Sequence, residues 1–517
     1  MVVTPTPTDL LPDNYISISE QLERNVANFP ASNALVSMED GDSITWQELW
    51  DWSARIALYL RNLGIQKNDR ILVLGENTTE HLILYYAIQS FGSTYCTINT
   101  DVNYNHLIEM VDRISPKLIF IEQGIGNLII EPKRKRKFIF FDDRRRDSDL
   151  FTKLSKLNSK NLYHLKNAQD DHCVICFTSG TSAQPKGVIH SFSNYQAIAQ
   201  HQLERWSLDN NDRILEFRSI SWASAHMISL NPTILAGATL LFAKNFSYSR
   251  FVNWIEIYSP TIIVAVPTVI NMLLEQPIKD GKEVFKSVRF ISCSTAPLMA
   301  DAHRRFEEIY GVELVQLYGM SEGGIVAANT PGNRKIGSVG AAGMYQNISI
   351  RDEDNNLLEP GKVGEIESVS AQHAYAYLYA GGKTEPLRGK PLRTGDLGYF
   401  DDEGFIRITG RAKDVVIRGG VNISPLEIDS LISQRPGVLE VVTFGIPDPV
   451  YGEDLVSWVV ISPNSKLTAK ALARFCNANL PKKKCPKSIE LVKEIPKNAR
   501  GKIDRKAARR SWDNIHQ

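Results

Sequence analysis

The 517-residue sequence is 43% apolar and 23% charged, proportions of a folded chain with room for several cores at roughly 100–200 residues per domain. Its 59 Lys and Arg against 58 Asp and Glu leave a net charge of +1, so no overall field favours nucleic acid or an anionic membrane. Six cysteines are too few for a disulfide framework. The longest apolar stretch, Ile228 to Ala243, is broken by Asn231, Pro232 and Gly237, so no membrane span is expected. The opening Thr4 to Asp9 has neither the basic start nor the apolar centre of a signal peptide, and a cytoplasmic location is the expectation.

Taken in chain order, Arg70 to Leu74 predicts a strand, Thr78 to Phe91 a helix and Thr94 to Ile98 a strand. Asn103 to Ile114 is again helical and Lys117 to Ile121 again extended. The basic run Lys133 to Lys137, with Arg144 to Arg146 close by, reads as a solvated loop diluted by Asp142 and Asp143. Cys173 and Cys176 make a C-x-x-C inside an apolar run with no second ligand pair, and are expected as buried strand cysteines. Strands are expected again at 213–217, 239–243, 261–266 and 288–292, with helical stretches between them. Such alternation implies mainly parallel sheets covered by helices, with ligands at the carboxyl ends of the strands. From about Asn347 the turn signals crowd together, as in a β-rich subdomain, and about a hundred residues after Gly410-Arg411 form a further strand–helix–strand unit. The expected fold is therefore α/β: a large N-terminal domain of doubly wound sheets plus a β-rich subdomain (1–410), then a small, mobile α+β C-terminal domain (411–517).

The segment Phe177 to Gly187 carries the most chemistry. A strand-like run enters small hydroxylated residues around Gly180 and leaves through Pro185-Lys186-Gly187. Small residues let backbone N–H groups approach phosphate oxygens; Thr178, Ser179, Thr181 and Ser182 add hydroxyls, and Lys186 adds charge. It is not a Walker A loop, since G-x-x-x-x-G-K-[ST] is absent.

At this point the sequence resembles the adenylate-forming enzymes, which include acyl-CoA synthetases, peptide-synthetase adenylation domains and luciferase. The likeness covers almost the whole chain, with Ser182-Ala183 departing from the usual Thr-Gly or Ser-Gly. The resemblance implies ATP, Mg²⁺ and CoA as cofactors or co-substrates, and Lys186 as a catalytic group. It implies that in Tyr318-Gly319-Met320-Ser321-Glu322 the Tyr stacks on adenine, Ser321 touches the α-phosphate and Glu322 binds Mg²⁺. Ser294, Thr295 and Ala296 then line the adenine pocket, and Asp396, assisted by Arg411, holds the ribose. Lys413 takes the hinge position, and Lys502 the position of the lysine that bridges the substrate carboxylate and the α-phosphate.

The acid pocket implied by the resemblance is walled by Trp222, Ala223, Ser224, His226, Met227, Cys293, Leu317, Ile325 and Val326. Ala223 stands where peptide-synthetase domains keep the Asp for an α-ammonium, so an α-amino acid is disfavoured and an aliphatic or aryl acid expected. His226 is read as a pocket or packed residue alike, and Arg218 as structural rather than as the partner of a second carboxylate. Gly419 and Gly420 look like the acyl-CoA synthetase pattern and are expected to line the pantetheine passage. The expected function is a stand-alone acyl-CoA synthetase with a small-molecule acid and CoA as partners. The alternatives are an adenylation enzyme loading a carrier protein and a non-catalytic nucleotide-binding homologue.

Overall fold

The computed structural model describes residues 15–125, 137–146, 149–158, 168–177, 186–463, 465–498 and 502–516. Among these residues the strands form four sheets. One runs in the order Ala341–Ala342, Gly324–Ala328, Glu313–Met320, Phe290–Cys293, Ile262–Ala265, Arg213–Glu216, Thr239–Phe242, Asn33–Ser37, Ser43–Thr45, parallel from Glu313–Met320 across to Asn33–Ser37. A second runs Thr384–Pro386, Ala376–Leu378, Gly187–Ser191, His172–Phe177, Thr94–Thr97, Arg70–Leu74, Leu118–Glu122, Lys137–Phe141, and is parallel from His172–Phe177 onward.

The two sheets share a core. The helix Thr79–Phe91 is buried at every position, Glu80, His81 and Gln89 included, which suits a helix enclosed on all sides. Its cluster joins Ile71 and Val73 of one sheet to Ile214, Leu240 and Val264 of the other. The other face of the first sheet is covered by Tyr248–Tyr258, Pro267–Glu275 and Ala300–Tyr310, and that of the second by Tyr104–Ile114. Thr78 and Asn103, expected as the first helical residues, are N-caps whose side chains accept from the backbone N–H three residues on. Asn77 stitches the sheets together: its Nδ2 donates to the carbonyls of Arg218 (2.8 Å) and Ala243 (2.9 Å), and its Oδ1 accepts from Ile220 N–H.

The β-rich part is an antiparallel sheet of Gln346–Arg351, Gly364–Ser370, Leu392–Phe400 and Ile406–Arg411. Its last strand extends one residue past the expected boundary at 410, and the chain turns at Ala412–Asp414. Within the β-rich stretch Ala376–Leu378 departs to pair antiparallel with Gly187–Ser191 of the second large sheet. The small C-terminal domain has the strands Val421–Ile423, Val416–Arg418, Gly452–Ile461 and Val438–Asp448, with Ser488–Leu491 parallel to Gly452–Ile461. Pro425–Ile432 and Ala469–Asn479 pack one cluster of this sheet, and Arg505–His516 another.

The two basic clusters part company. Lys133 to Arg136 lie outside the described residues, but Arg144 is not a solvated cation: its guanidinium reaches Asp42 at 2.6 Å and Glu80 at 3.1 Å, all three side chains nearly buried. Cys173 and Cys176 are buried free thiols on the strand His172–Phe177. No helix among the described residues is long and apolar enough to cross a membrane.

Candidate active site

The strand Glu313–Met320 leaves the parallel sheet, turns at Ser321 to Gly323 and returns as Gly324–Ala328. The hairpin is tight. A Cβ on Gly319 would stand 2.5 Å from the Gly324 carbonyl oxygen, so only glycine fits, and the register shifts between Tyr318 and Gly319. The Tyr318 hydroxyl donates to Asp396 Oδ2 at 2.6 Å, and Arg411 Nε meets Asp396 Oδ1 at 2.9 Å. Asp396 and Arg411 are cross-strand partners, and Asp396 is 6% exposed, so it is no surface turn residue. Burial and the adjacent Asp396 hold the Tyr318 phenol well above its usual range, keeping it a neutral donor. Each Asp396 oxygen has a second lone pair with which to accept a ribose hydroxyl.

On the other side of the hairpin Glu322 Oε1 accepts from the Tyr377 hydroxyl at 3.1 Å, and Lys186 Nζ lies 4.8 Å from the Tyr377 ring centroid. The Ala374 N–H donates to the Glu322 carbonyl at 2.8 Å, tying this stretch to the hairpin. Tyr377 was not singled out from sequence. The signal available was Tyr375, Tyr377 and Tyr379 at alternate positions, the period of a strand face. Thr178, Ser179, Gly180, Thr181 and Ser182 lie outside the described residues.

A divalent cation fits the donor chemistry here to the extent that Glu322 is a hard oxygen ligand. Among the described residues no three His, Cys, Asp or Glu could hold a metal between them. An ion at Glu322 would complete its shell from nucleotide phosphates, as Mg²⁺ does.

Ser294, Thr295 and Ala296 follow the strand Phe290–Cys293. Thr295 has φ +75°, a left-handed conformation that strains a β-branched residue. Around it the buried Ser292 Oγ, Ser294 Oγ and Gln316 Oε1 have no hydrogen-bond partner, and they lie on or just beyond adjacent parallel strands at the carboxyl edge. Unpaired buried acceptors cost about 1–3 kcal/mol each, a debt a bound polar ligand would remove.

The expected acid wall divides. Ala223, Met227, Leu317 and Ile325 pack in the cluster between the sheets, with Trp222 and Ser224 half-buried beside Ala223. Cys293 packs instead with the helices covering the outer face, and Val326 with the β-rich sheet. Ile325 and Val326 are neighbours on one strand and face opposite sides, so they do not line one pocket together. His226 is fully engaged inside the fold: Nε2 donates to the Ile220 carbonyl at 2.6 Å, and Nδ1 accepts from Tyr195 at 3.2 Å. Burial lowers its pKa to about 3, so it is a neutral packed histidine.

Arg218 pairs with Glu216 two residues before it, at the carboxyl end of Arg213–Glu216. Arg218 Nε lies 2.8 Å from Glu216 Oε1, and Ser229 Oγ donates to Glu216 Oε2 at 2.6 Å. Arg218 Nη2 reaches the Ser224 carbonyl at 3.2 Å, whereas its buried Nη1 has no partner.

In the small domain Gly419 and Gly420 form the turn between Val416–Arg418 and Val421–Ile423, at φ +54° and +78°. A two-residue hairpin turn with both φ positive demands such residues by itself. Lys413 lies in the turn directly after Arg411, and burial there, then Arg411, lowers its pKa. Lys502 is bonded to Asn498: the Asn498 N–H donates to its carbonyl at 2.8 Å, and its own N–H donates to Asn498 Oδ1 at 3.1 Å. Three residues on, Arg505 reaches the Thr443 carbonyl (2.6 Å), Asp429 (2.5 Å) and Asp414 (3.5 Å), the last of these beside Lys413.

Two family models match the chain: "AMP-binding enzyme" over residues 22–378 and "AMP-binding enzyme C-terminal domain" over residues 427–502. It is 28% identical over 507 residues to an oxalate–CoA ligase of Arabidopsis thaliana, an alignment covering 95% of this chain and 97% of that protein. It is 32% identical over 341 residues to a sulfoacetate–CoA ligase of Cupriavidus necator, covering 65% and 66% of the two chains. ATP-bound MatB from Rhodopseudomonas palustris superposes with a TM-score of 0.89 at 26% identity, over 97% of this chain and 100% of that one. The chain belongs to the adenylate-forming superfamily, in its acyl-CoA synthetase family. Its activity is acid–thiol ligation of the AMP-forming kind, with ATP and CoA as co-substrates. A carrier protein as acceptor is not favoured by relatives that are CoA ligases.

Proposed function

We propose that the chain activates a carboxylic acid lacking an α-amino group as its acyl-adenylate, and then transfers the acyl group to the thiol of CoA. The observation that carries this reading is the hairpin at Tyr318 to Glu322. One side meets Asp396 and Arg411, and the other meets Lys186 through Tyr377. In the first step a carboxylate oxygen attacks the α-phosphorus and the bond to pyrophosphate breaks. Tyr318 and Asp396 position the nucleoside, Lys186 holds charge on the departing phosphates, and Lys502 holds charge at the attacking oxygen. A Mg²⁺ at Glu322 would neutralise phosphate charge. In the second step the thiol sulfur bonds to the carbonyl carbon, AMP leaves with the electron pair, and the thiol proton passes to solvent.

The test is a panel of acids read by pyrophosphate release and by thioester formation, with and without CoA. Pyrophosphate release driven by an acid, with thioester only when CoA is added, supports the reading. Thioester formation without AMP production would sink it.

The acid class follows the wall. Ala223, Met227, Leu317 and Ile325 are apolar and offer no carboxylate to an α-ammonium. Leaving such an ion unpaired costs several kcal/mol, and about 3 kcal/mol is roughly a hundredfold in kcat/KM. Phenylpropionate is thus expected to outcompete phenylalanine by about that factor. A win for the amino acid across several matched pairs would overturn the pocket assignment. A second reading, a short acid with a further oxygen acceptor, is favoured by the partnerless Arg218 Nη1 and by the oxalate and sulfoacetate specificities of two relatives. Preference for short diacids over matched monoacids in the same panel would select it.

The two steps need different groups at one site, which a swing of the small domain about Lys413 supplies. Lys413→Pro is expected to leave acid-dependent pyrophosphate release within about threefold of wild type, since only the second step needs the rotation. Thioester formation should fall at least about tenfold. Equal loss of both half-reactions would remove the hinge assignment.

A further inference from the structure

Tyr377 touches both Lys186 and Glu322, and the two come to it from different sheets. Its place is set by backbone pairing. Ala376–Leu378 lies antiparallel to Gly187–Ser191, with Tyr377 opposite Val188 and Leu378 opposite Gly187. Lys186 is the residue immediately before that strand. The pairing is close, because a Cβ on Gly187 would stand 3.1 Å from Leu378 Cβ. The Lys186 ammonium therefore lies over the Tyr377 ring at 4.8 Å, with the Tyr379 ring at 5.8 Å. Tyr379 is itself fixed by its hydroxyl, which donates to Glu385 at 2.6 Å. The far end of Tyr377 donates its hydroxyl to Glu322 Oε1 at 3.1 Å.

We propose that Tyr377 is a positioning residue whose two ends have separate tasks: its hydroxyl orients Glu322 for a divalent cation, and its ring holds Lys186 for the nucleotide phosphates. The proposal rests on the assignment of Lys186 to phosphate and Glu322 to metal. A partner that fixes the rotamer of a ligating carboxylate typically changes metal affinity about 10–100-fold. An ammonium over an aromatic ring gains about 0.5–2 kcal/mol, or roughly 2–30-fold in an equilibrium.

The experiment is calorimetric binding of ATP to the full chain without any carboxylic acid, so that no turnover occurs, in EDTA and across a Mg²⁺ series. In Tyr377→Phe the ring stays: metal-free ATP affinity should remain within about twofold of wild type, while half-saturating Mg²⁺ rises about tenfold. In Tyr377→Leu the metal-free affinity should also fall, by about fivefold. A purely structural tyrosine would lower both quantities together in both variants, with a matching loss of thermal stability. That result, or an unchanged Mg²⁺ requirement in Tyr377→Phe, overturns the proposal. Lys186→Met and Glu322→Gln keep the two failures apart. If those variants leave metal-free affinity and Mg²⁺ dependence untouched, the underlying assignments fail. If they shift as assigned while Tyr377→Phe does not, only the role of Tyr377 fails.

Discussion

Lys502→Ala is expected to slow acyl-adenylate formation by about 10²–10³-fold, the range for removing one group that stabilises transition-state charge. Thioester formation from supplied acyl-adenylate should stay within a few-fold of wild type, because that step has no phosphorus centre under attack. Lys502 contributes backbone bonds to and from Asn498, and these survive truncation of the side chain. Three residues on, Arg505 reaches Thr443, Asp429 and Asp414. The check is pyrophosphate release for the first half-reaction and CoA-dependent consumption of synthetic acyl-adenylate for the second. Unchanged pyrophosphate release would take Lys502 out of the first step.

The second large effect is on stability. Glu216→Ala leaves the Arg218 guanidinium buried, its side chain 2% exposed, with its carboxylate gone. Removing one partner of a buried ion pair costs about 3–5 kcal/mol, because the remaining charge keeps its desolvation penalty. The midpoint of urea unfolding should drop accordingly. Activity should fall with it, since Arg218 Nη2 also holds the Ser224 carbonyl beside the acid wall. A double variant, Glu216→Leu with Arg218→Leu, is expected to recover most of the stability, as apolar replacements of buried pairs commonly do. A single variant as stable as wild type would show that the pair is solvated and not buried.

Much of this molecule could be read locally. The strand expected at Arg70 to Leu74 has those bounds, because a short apolar run between turn residues has few other options. The helices at Thr79–Phe91 and Tyr104–Ile114 were legible for the same reason, their starts displaced by one residue where Thr and Asn prefer to cap. Tyr318, Glu322 and Asp396 stand out through motifs that resemble those of adenylate-forming enzymes, and the structure joins Tyr318 to Asp396 directly. Pairing between distant segments was not legible. Nothing local says that Ala376–Leu378 abandons the β-rich region to lie beside Gly187–Ser191, and so Tyr377 went unnoticed. Arg144 reads as one of several surface cations until Asp42 and Glu80, remote in sequence, close around it. Cys293 and Val326 were assigned to the acid wall by position, and strand alternation turns both into other cores.

The cysteines have a bearing on self-modification. An acyl-adenylate is an acylating agent, and an accessible thiolate is a nucleophile it can acylate. All six cysteines here are buried. Burial pushes Cys293 up to about 12 and Cys476 to about 11, and raises Cys96 and Cys173 further. None of these four presents a thiolate at neutral pH. These four therefore offer an activated acyl group no competing thiolate, and the remaining two, Cys176 and Cys485, are kept from it by burial alone.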